Sequence, residues 1–138
     1  MSNLSKILVK LHENVLILEG QDRVYMVIIS KYFFYRNYVG LSLWPFIILK
    51  EPELSQDRIL INHERIHLRQ QAELLILPFY IWYISEWIIK SIWYLSTYKA
   101  YRNLSFEREA YLHESDPEYL SSRSRFGFIK YLRLTKRG

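Results

Sequence analysis

The sequence predicts an α+β fold, with a small N-terminal antiparallel β layer followed by a mainly helical core. Three observations carry this expectation. Short β-branched and aromatic runs separated by turn-type clusters occupy residues 1–52. The stretch from Asp57 to Leu77 contains neither Gly nor Pro and repeats apolar residues at helical spacing. An aromatic segment, residues 74–98, then leads into a second helical pattern over residues 103–120.

The elements follow in order. Val15 to Leu18 reads as a strand that ends at the turn cluster Glu19-Gly20-Gln21-Asp22. Val24 to Ile29 reads as a second strand, with Tyr32 to Tyr35 as its extension. Phe46 to Leu49 is a third, closed by Lys50-Glu51-Pro52. Pro45 just before it points to an edge position, because proline cannot donate to a ladder. Residues 53–76 read as a helix that Ser55 or Asp57 caps, with Ile59, His63, Ile66, His67, Gln70 and Leu74 on one face. Pro78 ends or kinks that helix. Asn103 or Ser105 opens the helix over 103–120, Asp116-Pro117 stops it, and residues 118–134 form one more.

At 138 residues the chain suits a single domain: β-rich over 1–52, helical over 53–120, basic over 121–138. An aromatic content of 17% argues against a disordered chain, and a mean hydropathy of −0.11 against a bundle of membrane spans. Cysteine is absent, so any metal site must draw on His, Asp and Glu. The apolar run from Ile7 to Val9 is cut short by Lys10, His12 and Glu13, unlike a secretory signal, and an intracellular location is expected. Net charge is +5, and Arg123, Arg125, Lys130, Arg133, Lys136 and Arg137 follow Ser122 with no acid among them. Such a tail favours an anionic partner, either a membrane surface or nucleic acid.

The chemistry centres on His63-Glu64-Arg65-Ile66-His67. Four-residue spacing on a helix sets both imidazoles on one face, one turn apart, where they can share a tetrahedral Zn2+. Glu64 lies beside the first histidine, where it reaches a water polarised by the ion and acts as its general base. A catalytic zinc has three protein ligands and an open position. Glu107, Glu109, His113 and Glu114 are the candidates for the third. Glu107 and Glu109 stand about 200° apart on a helix, so only one of them faces the ion. His12 reads as incidental, as does His113 if it is not the ligand. Tyr101 and Tyr111 are candidates for stabilising an oxyanion.

Ser105-Phe106-Glu107-Arg108-Glu109-Ala110-Tyr111 resembles the third-ligand helix of gluzincin peptidases. The likeness is to membrane zinc proteases of the CAAX-prenyl-protease and HtpX type and to BlaR-type sensor peptidases, and it covers roughly residues 44–115. In those proteins the ligand Glu is followed three residues on by a small Ala and then commonly by Asp. The resemblance implies Glu107 as the third ligand, a zincin-like core, and hydrolysis of a peptide or protein substrate. Tyr111 stands where the Asp that orients a ligand histidine is common.

If Glu107 is the ligand, it and His67 flank the aromatic segment. One membrane crossing would separate them, and two crossings need roughly 40 residues plus a turn, more than the interval from Leu68 to Phe106 offers. The segment should therefore fold back as a long aromatic helical hairpin with Glu86 at its tip, either dipping into a membrane from one side or packing on the strand layer as the core of a small protein soluble in the cytoplasm, in which case Glu86 and Lys90 can form a surface ion pair. Membrane association is expected through residues 74–98 and the basic C-terminus. The strand at Phe46–Leu49 reads equally as one that takes extended substrate by strand addition and as a plain structural edge strand. Two other readings stand beside the peptidase. One is a zinc-binding module without catalysis, structural or regulatory, at a membrane surface. The other is a protease-like protein associated with nucleic acid.

Overall fold

Strand-forming runs and helical patterns segregate along the chain as the α+β expectation requires. The computed structural model describes residues 9–12, 14–19 and 23–134, without side chains for 9–12 and 19. The expected turn at Gly20–Asp22, the N-terminal run before Val9, the His12 side chain and the last cations, Lys136 and Arg137, lie outside what is described. Two compact units divide the chain, Met1–Leu68 and Arg69–Gly138.

The first unit is built on a five-stranded sheet in the order β1-β2-β3-β5-β4. Its strands are β1 (Val9–His12), β2 (Val15–Glu19), β3 (Val24–Ile29), β4 (Gly40–Leu43) and β5 (Phe46–Leu49). The layer is mixed rather than purely antiparallel, because β3 and β5 run parallel. After β3 the chain passes through a 3-10 turn, Lys31–Phe33, out to β4 at the sheet edge, and a tight turn at Trp44–Pro45 then brings β5 back beside β3. Tyr32 to Tyr35 therefore do not extend β3. The expected edge strand is also corrected. Phe46–Leu49 pairs on both sides, and β4 holds the edge among the described residues. Pro45 sits in the turn one residue ahead of the ladder, so its missing N–H costs the strand nothing.

Helix α1 (Arg58–Glu73) follows a 3-10 turn over Pro52–Gln56. The Asp57 carboxylate caps it, accepting from the Ile59 and Leu60 amides at 3.1 and 3.0 Å. Leu60, Ile61 and Leu68 pack its first part on Leu16, Val27, Ile47 and Leu49 of the sheet. Ile59, placed on the buried face by spacing, is exposed in the first turn, whereas Ile66 and Gln70 are fully buried.

In the second unit Pro78 starts a new helix, α2 (Leu77–Tyr94), where its missing amide is one that no helix uses. The aromatic segment does fold back, but at Leu95 rather than at Glu86. Leu95 takes a left-handed conformation, and Ser96 caps α3 (Thr97–Arg102) by accepting from the Lys99 amide at 3.2 Å. Glu86 and Lys90 lie mid-helix and are buried, which overturns the expected surface pair. Their partners explain why. Glu86 accepts from Lys90 at 2.7 Å and from both the amide and the hydroxyl of Ser105, at 2.8 and 2.6 Å. Lys90 also donates to the Asn103 carbonyl. A carboxylate from α2 thus caps α4 (Ser105–His113), where local capping by Asn103 or Ser105 was expected. Phe79, Phe106 and Phe128 form the core of this unit, with Phe106 and Phe128 4.4 Å apart by ring centroid. The helix expected over 118–134 is a short α5 (Tyr119–Ser122) and a 3-10 turn, Gly127–Tyr131. Between the two, Arg123 is extended and Phe126 takes a left-handed conformation, and Gly127 passes so close to Glu109 that a Cβ there would meet its carboxylate at 2.6 Å.

Candidate metal centre

Helix α1 carries His63 and His67 at one-turn spacing, and both are buried. Their Nε2 atoms lie 3.0 Å apart with the rings crossing at 80°. Two nitrogens at tetrahedral angles, each about 2.0–2.1 Å from a zinc ion, would stand about 3.3 Å apart. The spacing thus fits a shared ion, and equally a single N–H···N bond between one protonated and one unprotonated nitrogen.

Glu64 is buried beside them. The Ser42 hydroxyl donates to its carboxylate and lies 2.9 Å from its main-chain carbonyl. Gly40, two residues earlier on β4, passes so close that a Cβ there would meet Glu64 Oε1 at 2.7 Å. Strand β4 therefore fixes the carboxylate from one side through a small residue and a hydroxyl, neither of which the sequence pattern singled out.

Glu107 lies in the first turn of α4 and is buried. The Tyr83 hydroxyl, from α2, donates to its Oε1 at 2.8 Å. Among the described residues, His63, His67 and Glu107 form a group whose ligand atoms all lie within 4.8 Å of one another. Two imidazoles and one carboxylate make a donor set that zinc takes with a fourth position open. The same set also suits other divalent transition ions.

The other candidates have different surroundings. Glu109 is fully buried and accepts from Arg123 Nε at 2.6 Å, from Tyr119 at 2.7 Å and from Gln70 at 2.8 Å. Burial pushes its carboxyl up, but the hydrogen bonds from Arg123, Gln70 and Tyr119 and the Arg123 charge outweigh that and hold it below the usual carboxylate range. Burial and the bond to Glu109 push the Tyr119 phenol well above its ordinary value. Arg123 also pairs with Glu73 at 2.7 Å. His113 stacks on Tyr119 at 3.7 Å and meets the Tyr131 hydroxyl at 2.9 Å. Tyr111 stands 3.4 Å from the Tyr101 hydroxyl, and its ring lies beneath the Arg102 guanidinium at 3.8 Å. Glu114 is half-buried just past the end of α4.

A usable signal for Tyr83 exists in the sequence. Phe79, Tyr83, Glu86 and Lys90 recur at helical spacing, so the only charged residues of α2 share a face with two aromatics. Compared with family models, curated proteins and solved structures, the chain matches none.

Proposed function

We propose that this chain is a zinc-dependent metallopeptidase in which His63, His67 and Glu107 hold the ion and Glu64 acts as general base. The observation that carries the reading is the grouping of two imidazole nitrogens and one carboxylate oxygen within 4.8 Å, all from buried residues. Glu109 is committed to Arg123, Tyr119 and Gln70, which favours Glu107 as the third ligand. When bound, zinc supplies Lewis-acid polarisation of water and of the scissile carbonyl. The chain's own part is then to orient and to move a proton. Tyr83 fixes the Glu107 carboxylate, and Ser42 and Gly40 fix that of Glu64, which takes a proton from water and delivers it to the leaving amine. Strand β4, at the sheet edge beside Glu64, offers main-chain groups to an extended peptide by strand addition, one of the two roles expected earlier of Phe46–Leu49.

A second reading, metal holding without hydrolysis, draws on Ser42. The Ser42 hydroxyl already occupies the Glu64 carboxylate, in competition with a water for its oxygens. One experiment separates the two. Metal per chain is measured for wild type, His63→Ala, Glu107→Ala and Glu64→Gln, alongside cleavage of casein and of unstructured peptides. The peptidase reading expects one zinc in wild type, loss of zinc in the two ligand variants, and retained zinc without cleavage in Glu64→Gln. Zinc in a wild type that cleaves nothing supports the second reading. A wild type that takes up no metal overturns both.

A further inference from the structure

Helix α2 buries Phe79, Glu86 and Lys90 on one side. The opposite side carries Leu77, Ile81, Ile84, Ile88, Ile92 and Leu95, which the 3-4 spacing sets in a single row. Every member is exposed, from 48% for Ile88 to 81% for Leu95. The helix is 18 residues long, so the row runs roughly 27 Å. An ordinary surface helix turns its polar face outward, and a contiguous apolar patch of this length marks a binding surface.

Three observations identify the occupant. First, the row offers no hydrogen bond. Ser85, at its border, donates its hydroxyl to the Ile81 carbonyl of its own helix at 2.7 Å. A protein interface of ordinary make-up carries many direct hydrogen bonds, whereas acyl chains ask for none. Second, Trp82 and Trp93 are part-exposed along one flank of the row, the placement that indole rings take at the headgroup level. Third, the nearby charge is of one sign. Between Leu74 and Leu104 the only acid, Glu86, is buried against Lys90, while Lys99 and Arg102 on α3 are exposed. Trp82 also packs edge-on to Phe128 at 5.2 Å, which brings the turn Gly127–Tyr131, with exposed Ile129 and Lys130, alongside α2.

We infer that α2 lies flat in the surface of an anionic bilayer, with the Leu77–Leu95 row among the acyl chains and the cations of α3 and the C-terminal turn at the headgroups. Among the described residues no single helix is long and apolar enough to cross a membrane, and an in-plane helix needs no such length. The inference is independent of the metal reading.

Flotation of the full chain tests it, with vesicles of phosphatidylcholine alone and with about 30% phosphatidylglycerol. The chain is expected to float with the mixed vesicles, with a blue shift of tryptophan emission and quenching by brominated acyl chains. Ile84→Glu/Ile88→Glu alters only exposed positions, and its melting curve checks that it folds. It should bind at least about tenfold more weakly. Lys99→Gln/Arg102→Gln should keep binding but lose the preference for phosphatidylglycerol. The inference fails if wild type stays unbound at about 1 mM lipid, or if the double Glu variant floats as wild type does. It also fails if wild type is a dimer that ignores vesicles and the double Glu variant is a monomer, because the row would then join two copies of the chain.

Discussion

At the scale of single residues, the geometry around Glu64 separates holding an ion from using it. Gly40 matters for the space it leaves, because its missing Cβ would occupy a position 2.7 Å from Glu64 Oε1 and 3.0 Å from Leu60 Cδ1. The atom it would strike is the far end of a side chain, so Gly40→Ala should fold while displacing the carboxylate. On the peptidase reading, a displacement of about 1 Å costs about a hundredfold in turnover. Gly40→Ala should therefore keep its metal and lose most of its peptide cleavage, and joint loss of both would contradict this division of labour. Tyr83 offers the converse test, since its hydroxyl bonds to Glu107. Removing a group that orients a metal ligand typically weakens affinity by about 10–100-fold. Tyr83→Phe should show that loss in a chelator-competition titration while the secondary structure stays unchanged. Equal affinity in both proteins would mean that Glu107 is set by α4 alone.

At the scale of elements, α4 is positioned by a charge borrowed from α2. Glu86 accepts two bonds from Ser105 and an ion pair from Lys90, and both side chains are at most 8% exposed. Breaking a buried pair from one side leaves the other charge unpaired, at a cost of about 3–5 kcal/mol. Lys90→Met should lower the urea midpoint by a corresponding amount, and Lys90→Met/Glu86→Gln should recover much of it. A double variant as unstable as the sum of its parts would show that the two residues act separately. The sequence could not disclose this role, because an i,i+4 pair has the same spacing whether it faces water or protein. Its burial follows from Phe79 and Tyr83 on the same face, a pattern set by packing on α4 rather than by α2 alone. The same limit hid the central place of β5 in the sheet. Proline before a strand is compatible with an edge or with a strand start, and only the path of the chain through β4 decides between them. What was legible was local: the Asp57 cap, the break at Pro78 and the pairing of His63 with His67 all depend on neighbours within a turn. Ser42 and Tyr83 meet their partners 22 and 24 residues away in sequence, and no periodicity announces such contacts.

At the scale of the whole molecule, if His63, His67 and Glu107 hold an ion as proposed, residues so far apart in sequence offer no comparable site in the unfolded chain. Its binding energy then becomes folding energy. A ligand at about a hundred times its dissociation constant stabilises the folded state by about 2.7 kcal/mol. For a chain of this size that raises the melting midpoint by on the order of 5–10 °C. The expected result is a higher midpoint with zinc than with a chelator, the difference growing with free zinc. His63→Ala must abolish the difference whatever its own midpoint, because the test reads the response to the ion and not the absolute stability. The control matters here because His63 is buried, so its removal lowers stability by loss of packing alone. A wild type that melts identically with zinc and chelator would show that the site does not hold zinc. A His63→Ala variant that still responds would show that the ion binds elsewhere on the chain.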